Sequence, residues 1–457
     1  ALPICELTLA FVQAALKAPV SAQAEVATRI ITDSRQAEVG DVFVALVGEQ
    51  FDGHDYVADV LAKGVAAVIV SREVVTGDAR QIVVADTLAA LGQIAQAWRL
   101  KLNPKIVALT GSNGKTTVKE MCAAILREAV GEDAVLATAG NFNNEIGMPL
   151  TLLRLQAAHK VAVLEMGMNH FGELARLTQI AQPDVALVNN ASRAHIGNDF
   201  NGVADIARAK SEIYAGLNPS TGMAILPCED ANVAIFEAAA QGLQQTTFGL
   251  HSGNIHADQI VLSPLASDFV LTDGKAQIQV HLPVAGEHNV YNAAAAAAAM
   301  RAIGIEWSHI AAGLEKFHNV KGRLQGFTSK NGALIVDDTY NANPDSMKAA
   351  LDVLSRFDGT KVFVMGAIGE LGATSLQLHA EVGTYANEKG LAALFALGDD
   401  AKAASEASAV GQYFENVDAL LAALRPYDVA GTTILVKGSR FMQMERVVEA
   451  LLHTTGK

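Results

Sequence analysis

A glycine-rich turn between a strand pattern and a helix pattern constrains this chain more than any other feature. The apolar run Lys105 to Leu109 is followed by Thr-Gly-Ser-Asn-Gly-Lys-Thr-Thr at residues 110–117 and then by a helical pattern that ends near Ala129. In that order, backbone N–H groups and the helix N-terminus surround a phosphate, Lys115 reaches the terminal phosphates and Thr116 offers its hydroxyl to Mg²⁺. The sequence therefore predicts an ATP site that uses Mg²⁺ and consists of Thr110, Gly111, Ser112, Asn113, Gly114, Lys115, Thr116 and Thr117.

The loop differs in one position from the common phosphate-binding pattern. That pattern has a further glycine at position 109, where this chain has Leu109, so the loop is the shorter Gly-x-x-Gly-Lys-Thr form. A Gly-Lys-Thr turn at a helix start also arises by chance. The strand before it and the helix after it favour the nucleotide interpretation.

Length and composition limit the class of protein. The chain has 457 residues, which is more than one hydrophobic core usually organises, and we expect three domains. A hydrophobic fraction of 51% indicates a globular protein, and a net charge of -14 argues against a partner nucleic acid. The three cysteines share no metal-like spacing, which fits a reducing cytoplasm. No apolar run approaches the roughly 18 residues of a membrane span, and the first residues do not resemble a signal peptide, so we expect a cytoplasmic protein.

Two breaks in the pattern predict the domain organisation. Asn103-Pro104 ends a helical stretch, and the loop at Lys321-Gly322-Arg323 separates two α/β blocks. We predict an α/β fold with a small α/β domain at 1–102 and a parallel sheet with helices at 103–321. A hairpin is expected within the second domain, around Asp273-Gly274. Residues 322–457 repeat the strand–helix alternation and predict a Rossmann-like, doubly wound domain.

Further motifs occur in all three predicted domains. They are Gly140–Gly147, Glu165–His170, His195–Gly197, Lys210–Ile213, His288–Asn292, Gly322-Arg323, Asp337–Met347 and Lys437–Arg440. Together with the loop, these motifs resemble those of the Mur ligases and of the related folylpolyglutamate synthases. The resemblance implies an enzyme that activates a carboxylate with ATP and joins it to an amine.

Two stretches of the chain imply particular substrates. The run Asp337–Met347 resembles that of family members that add D-alanyl-D-alanine to UDP-N-acetylmuramoyl-tripeptide in peptidoglycan synthesis. The stretch Thr32–His54 resembles the part of those ligases that binds the UDP-sugar, so we expect this site in the first domain. We also expect the protein to be a monomer. The residues implied to hold the muramoyl peptide are Ser34, Arg35, Asp52, His54, Asn141, Asn143 and Asn144. The three asparagines can equally be turn residues.

Three side chains of the middle domain are implied to serve catalysis and to bind Mg²⁺. Glu165 ends a strand pattern beside the phosphates, where the alternative is a solvated carboxylate. His195 resembles a family histidine near a second metal ion, although an isolated histidine is more often structural. Lys210 matches the lysine that Mur ligases carry as a carbamate, and the alternative is a surface lysine paired with Glu212 or Asp205.

The remaining candidates lie around the predicted cleft. Asn289 and Asn292 share one helix face and are implied to bind the adenine edge, whereas Asn289 can also be a helix cap. Arg323 and Asp338 resemble residues that reach the γ-phosphate and the ribose of ATP, which gives Arg323 a catalytic role beside Lys115. The residues implied for the incoming amine substrate and the acyl intermediate are Tyr340, Asn341, Asn343, Lys437 and Ser439. Each of these alone can be a cap or turn residue.

Two other functions remain open from the sequence. One is a different carboxylate–amine ligase, either the third amino-acid-adding Mur ligase or a folate-polyglutamating enzyme. The other is a nucleotide-dependent binding protein without ligase chemistry. The Thr32–His54 stretch argues against folate, and dependence of phosphate release on both substrates separates an enzyme from a binding protein.

Overall fold

The protein is described by a computed structural model that covers residues 6–19, 28–193 and 199–453. The predicted metal-site residue His195 lies outside these residues. Within them the chain forms four β-sheets, one near the N-terminus, two in the middle and one in the C-terminal part. The α/β class and the three-part organisation are confirmed, while the boundaries at 102 and 321 stay predictions.

The N-terminal part is a small parallel sheet packed against helices. Its four strands are hydrogen-bonded in the order β1-β2-β3-β4. The strands are β1 (Ile30–Ile31), β2 (Val42–Val44), β3 (Ala67–Val70) and β4 (Gln81–Val83), and the helices are α1 (Leu9–Ala15), α2 (Val57–Ala62) and α3 (Thr87–Leu102). The apolar run that contains β2 continues to Leu46, but its last two residues are buried loop. Asp86 caps α3 with its side chain, and Asn103 ends it in the left-handed conformation (φ 48°).

The middle part is built on a six-stranded parallel sheet. Its order, β10-β9-β8-β5-β7-β6, places the central strand β5 between β7 and β8. The strands are β5 (Lys105–Thr110), β6 (Val135–Ala137), β7 (Val161–Glu165), β8 (Val185–Val188), β9 (Met223–Pro227) and β10 (Gln244–Phe248). The helices are α4 (Lys115–Val130), α5 (Gly147–Leu152), α6 (Glu173–Ala181), α7 (Val203–Ser211) and α8 (Val233–Ala239). Ligands of such sheets bind beyond the carboxyl ends of the strands, where the strand order reverses.

An antiparallel sheet and two helices complete the middle part. The predicted hairpin turn at Asp273-Gly274 joins β12 (Ser267–Thr272) to β13 (Gln277–Leu282), and β11 (His256–Leu262) pairs with β12 on the other side. Helices α9 (Glu287–Ala302) and α10 (Trp307–Glu315) follow. The alanines from 293 to 299 are buried in a core that both sheets share, because a helix with small side chains packs closely on two layers.

The C-terminal part is doubly wound, as predicted, with one added edge strand. Its sheet has the order β14-β15-β19-β16-β17-β18, and β14 runs antiparallel to β15. The strands are β14 (Gln325–Thr328), β15 (Leu334–Asp338), β16 (Thr360–Gly366), β17 (Ala393–Leu397), β18 (Gly411–Phe414) and β19 (Thr432–Lys437). The helices are α11 (Pro344–Ser355), α12 (Ser375–Ala386), α13 (Lys402–Ala407), α14 (Val417–Leu424) and α15 (Glu445–His453). Among the helices of the described residues, none has both the length and the apolar character needed to cross a bilayer.

Candidate active site

A cavity of about 1100 Å³ lies between the middle and C-terminal parts. Its walls carry the phosphate loop and the end of β7 on one side, and the ends of β15 and β19 on the other. The predicted residues that line it are Ser112, Asn113, Gly114, Lys115, Thr116, Thr117, Asn141, Asn143, Asn144, Glu165, Lys210, Asn289, Asn292, Arg323, Asp338, Tyr340, Asn341, Asn343, Lys437 and Ser439. The fold therefore collects most of the sequence candidates in one place.

The phosphate loop is a tight turn that requires glycine at the residue directly before helix α4. Gly114 has φ 78°, and a Cβ atom there would collide with the side-chain amides of Asn292 and Asn189. Lys115 Nζ lies over the loop and donates to the carbonyl oxygen of Gly111 at 2.8 Å. Burial lowers the pKa of Lys115, Glu165 opposes that shift, and Arg323 adds to it. The loop thus holds a half-buried ammonium at the N-terminus of α4, where an anion is stabilised.

The segment after β8 supports this loop, although none of its residues was among the sequence candidates. Asn189 donates from Nδ2 to the carbonyl oxygen of Asn113 at 2.9 Å and to Asn292 Oδ1 at 3.0 Å. Asn190 Oδ1 accepts the N–H of Asn113 at 2.8 Å, and Ser192 Oγ accepts the Asn113 side-chain amide at 2.8 Å. The available signal was two asparagines at the end of a buried strand in a sheet predicted to bind its ligand at that edge.

Glu165 is a buried carboxylate with one oxygen available. It is 2% exposed, and its Oε1 accepts the Asn143 amide at 2.8 Å. Its Oε2 has no hydrogen-bond partner among the residues that the structure describes. The alternative of a solvated strand-end carboxylate is therefore wrong.

The donor set around Glu165 fits Mg²⁺. This ion takes one or two protein carboxylates and completes its shell with phosphate and water oxygens. Glu165, with its unpaired Oε2, and Thr116 both line the cavity. Within the described ranges, no group of three or more His, Cys, Asp or Glu side chains is placed to hold a metal ion. A site made of few side chains plus nucleotide phosphates is consistent with that arrangement.

Lys210 is buried on α7, near the phosphate loop. The alternative of a surface pair is wrong, because Lys210 is 2% exposed, Glu212 accepts the N–H of Gly172 at 2.9 Å and Asp205 pairs with Arg208. Burial lowers its pKa well below the ordinary value, and the positive charge of Lys115 lowers it further. Among residues 6–19, 28–193 and 199–453, no side chain or backbone group forms a hydrogen bond or an ion pair with the Lys210 ammonium.

The adenine candidates form part of the support beneath the loop. Helix α9 begins at Glu287, so Asn289 lies inside its first turn and is not the cap. Asn289 Nδ2 donates to the carbonyl oxygen of Ala285 at 2.7 Å, and Asn292 Nδ2 donates to Asn289 Oδ1 at 3.2 Å. Both amides are 4% exposed. Their contact with an adenine edge stays a prediction.

Arg323 reaches the phosphate loop from the C-terminal side of the cavity. Its Nη2 donates to Thr116 Oγ1 at 3.0 Å, and its guanidinium lies 4.3 Å from the centre of the Tyr340 ring. Its Nε is buried and finds no partner among the described residues. A stacked guanidinium with a free N–H next to the phosphate loop suits a transferring phosphoryl group.

The other C-terminal candidates form hydrogen bonds with one another and with neighbouring residues. Lys437 Nζ donates to Asp338 Oδ2 at 2.7 Å and to the carbonyl oxygen of Asn341 at 2.9 Å. Ser439 Oγ accepts the N–H of Gly369 at 2.9 Å. Asn343 caps α11 and also donates to Asn113 Oδ1 at 2.5 Å, which joins the two walls.

The predicted asparagine cluster divides into two roles. Asn144 Oδ1 accepts the N–H of Gly147 at 2.8 Å, as expected of a turn residue. Asn143 holds Glu165, and all three asparagines line the cavity. Substrate contacts for all three stay predictions.

The four N-terminal candidates lie apart from the cavity. Among the described residues that line the cavity, none is Ser34, Arg35, Asp52 or His54. His54 is 2% exposed and holds Asp52 at 2.6 Å and the N–H of Ser71 at 2.9 Å. The neighbouring Arg35 guanidinium lowers the pKa of Asp33 to about 2. The contacts of His54 with Asp52 and Ser71 stabilise the local structure. A contact of these four candidates with a UDP-sugar stays a prediction.

One arginine joins the middle part to the C-terminal helices. Arg193 donates to Asp345 Oδ1 at 2.6 Å and to both carboxylate oxygens of Glu381 at 2.9 and 3.0 Å. These contacts lower the pKa of Glu381 to about 2, with the Arg193 hydrogen bond as the main cause and Lys348 as a further one. Arg193 directly follows the segment that holds the phosphate loop, and the sequence analysis did not single it out.

Comparisons with known proteins agree with this architecture. Residues 27–99 match the model of the Mur ligase family catalytic domain, 109–300 the Mur ligase middle domain and 322–440 the Mur ligase glutamate ligase domain. The UDP-N-acetylmuramoyl-tripeptide--D-alanyl-D-alanine ligase of Haemophilus influenzae is 40% identical over 93% of this chain and 93% of its own length.

Solved structures give the same result. A crystal structure of MurF from Acinetobacter baumannii has a TM-score of 0.91 and 41% identity, and the match covers 99% of this chain and 100% of that one. The MurF ligase of Thermotoga maritima, solved in complex with ADP, has a TM-score of 0.83 and 28% identity over 93% of this chain and 97% of its own. The three matched domains and these relatives, which span nearly the whole sequence, show that the chain belongs to the Mur ligase family.

Proposed function

We propose that this chain is an ATP-dependent, ADP-forming ligase that joins D-alanyl-D-alanine to UDP-N-acetylmuramoyl-tripeptide in cytoplasmic peptidoglycan precursor synthesis. One observation carries the proposal. A single cavity brings Lys115, Glu165 and Lys210 of the middle part opposite Arg323 and Lys437 of the C-terminal part. The printed names of the 40% identical relatives supply the two substrates.

The reaction has two steps. The terminal carboxylate of the tripeptide attacks the γ-phosphorus of ATP, the bond to the β,γ-bridging oxygen breaks, and ADP leaves an acyl phosphate behind. The amine of D-alanyl-D-alanine then attacks the acyl carbon, forms the amide and releases inorganic phosphate and a proton. Lys115 and Arg323 offset the negative charge on the transferring phosphoryl group.

Glu165, Thr116, His195 and a carbamylated Lys210 hold Mg²⁺ in this proposal. The ion supplies Lewis-acid stabilisation of phosphoryl oxygens. Carbamylation converts the buried Lys210 amine into an anion, and its lowered pKa favours this because only the neutral amine reacts with CO₂. A buried, unpaired cation is costly, so conversion to a metal-bound anion also relieves the local charge.

The substrates occupy different parts of the protein. Residues 1–102, with Ser34, Arg35, Asp52 and His54, take the UDP-muramoyl moiety, and Asn141, Asn143 and Asn144 guide its peptide into the cavity. Residues 103–321 bind ATP, with Asn289 and Asn292 at the adenine edge, and Asp338 of the C-terminal part contacts the ribose. Residues 322–457 take the dipeptide through Tyr340, Asn341, Asn343, Lys437 and Ser439. The protein acts as a monomer, and closure of the C-terminal domain excludes water, which would hydrolyse the acyl phosphate.

Phosphate release tests the proposal. Purified protein with ATP and Mg²⁺ is expected to release phosphate only when UDP-N-acetylmuramoyl-tripeptide and D-alanyl-D-alanine are both present. Single amino acids in place of the dipeptide, and folate in place of the muramoyl peptide, are the controls. Release with single amino acids would identify a different Mur ligase, and nucleotide binding without any release would identify a binding protein.

A further inference from the structure

A second lysine of helix α4 is buried beside the candidate active site and has no part in the proposed reaction. Lys119 follows Lys115 by one helical turn, and it is 1% exposed. Within the described residues, the lining of the cavity does not include it. A buried ammonium needs full pairing and hydrogen bonding, so the groups that pair with Lys119 indicate what it holds in place.

The ammonium is fastened to the segment that follows β6. Lys119 Nζ donates to the carbonyl oxygen of Thr138 at 2.6 Å and is paired with the carboxylate of Glu120. Thr138, which is 1% exposed, accepts the N–H of Glu165 on its hydroxyl at 3.0 Å. A continuous path of hydrogen bonds therefore runs from helix α4 to the backbone of Glu165.

The far end of the same segment holds the Glu165 side chain. Asn143 donates to Glu165 Oε1 at 2.8 Å, and its carbonyl oxygen accepts the N–H of Gly167 at 2.8 Å. Residues 138–143 thus fix both the backbone and the carboxylate of Glu165. Lys119 ties this segment to the helix whose first turn carries Lys115 and Thr116.

We propose that Lys119, acting through Thr138, is a positioning residue that sets the place of Glu165 relative to Thr116, so that both side chains meet one Mg²⁺ ion. The inference rests on the proposed function, in which these two side chains hold the ion. A lysine suits the position because its long stem spans the gap between helix and segment, and a charged donor makes a shorter, stronger bond to a carbonyl oxygen. Partners that orient metal ligands affect metal affinity nearly as much as the ligands do.

Four variants separate positioning from general stability. Lys119→Met removes the ammonium and keeps the stem, Thr138→Val removes the acceptor for Glu165, and Thr138→Ser keeps it. Arg99→Met is the matched control, because Arg99 is also buried, at 5% exposure, and donates to the carbonyl oxygens of Ala181 at 2.7 Å and Gln182 at 2.9 Å away from the cavity. The measurements are ADP affinity by calorimetry with Mg²⁺ and with EDTA, the Mg²⁺ dependence of phosphate release, and the unfolding temperature.

Lys119→Met and Thr138→Val are expected to raise the Mg²⁺ concentration for half-maximal effect by about tenfold. They should also reduce the gain in ADP affinity that Mg²⁺ gives, while ADP affinity in EDTA stays unchanged. Thr138→Ser is expected to restore the wild-type Mg²⁺ dependence, and Arg99→Met to lower only the unfolding temperature.

Wild-type Mg²⁺ dependence in Thr138→Val would overturn the proposal, and so would an equal shift in Arg99→Met. If Lys119→Met does not fold, the test is the difference in Mg²⁺ dependence between Thr138→Val and Thr138→Ser. The binding measurements need neither the tripeptide nor the dipeptide. A wild-type protein that binds ADP with Mg²⁺ but releases no phosphate would therefore contradict the proposed function. The positioning role would still be tested by the ADP affinities with Mg²⁺ and with EDTA.

Discussion

The two walls of the cavity treat their charged groups in opposite ways. On the middle wall, Glu165 Oε2 and the Lys210 ammonium are buried without partners among the described residues. On the C-terminal wall, Lys437 is paired with Asp338 at 2.7 Å, and Arg323 is stacked on Tyr340. Uncompensated buried charge lowers stability, so the middle wall is built to be completed by a ligand. The C-terminal wall is held mainly by its own contacts, although Arg323 Nε has no partner among the described residues.

The largest expected effect is at the middle wall. Glu165→Gln should lower the rate of phosphate release by about 10²–10³-fold, because a neutral amide holds Mg²⁺ less well than a carboxylate and the ion stabilises the phosphoryl oxygens. The free energy of unfolding should stay equal or rise, since an amide costs less to bury than a carboxylate with an unpaired oxygen. Steady-state kinetics and urea unfolding measure the two effects. A destabilised variant with near-normal rates would mean that Glu165 is a structural residue.

The C-terminal wall should respond in stability first. Lys437→Met leaves the Asp338 carboxylate, whose side chain is only 13% exposed, without its cationic partner and is expected to cost about 3 kcal/mol in the free energy of unfolding. The double variant Lys437→Met with Asp338→Asn should recover most of that loss, because both charges are then absent. Urea unfolding of the three proteins makes the comparison, and equal stability of the single and double variants would contradict the pairing argument.

The smallest expected effect on stability is that of Lys210→Met, and this effect should depend on pH. Burial and Lys115 lower the folded pKa of Lys210, so between that pKa and about 10.4 the unfolded chain binds more protons than the folded one and wild-type stability rises with pH. In CO₂-free buffer the methionine variant should therefore be more stable at neutral pH, by a margin that shrinks as pH rises. Thermal unfolding across pH measures this, and a constant margin would argue against a depressed pKa.

The sequence was sufficient for the parts of the site that have a local pattern. The phosphate loop, the carboxylate at the end of β7 and the doubly wound C-terminal sheet each follow from neighbouring residues, and the structure has them at the expected places. Asp52 and His54 were also visible in sequence, but their pairing with each other and with Ser71 depends on a turn that motif reading does not resolve.

Other features depend on contacts between distant parts of the chain. Asn189 supports the phosphate loop 76 residues away, and Arg193 reaches Glu381 across 188 residues. No periodicity links such pairs, because the fold alone brings them together. The edge strand β14 is equally hidden, since a short, mostly exposed strand has no apolar alternation to mark it.

The position of Arg193 has a thermodynamic consequence. The segment from Asn189 to Arg193 contacts the phosphate loop at one end and the C-terminal helices, through Asp345 and Glu381, at the other. If nucleotide binding favours the docked arrangement of the two parts, docking must favour nucleotide binding by the same factor, because coupling free energies are reciprocal. The affinity for ATP is then a measure of how firmly the two parts are docked. The ion pairs of Arg193 with Asp345 and Glu381 therefore become determinants of nucleotide affinity.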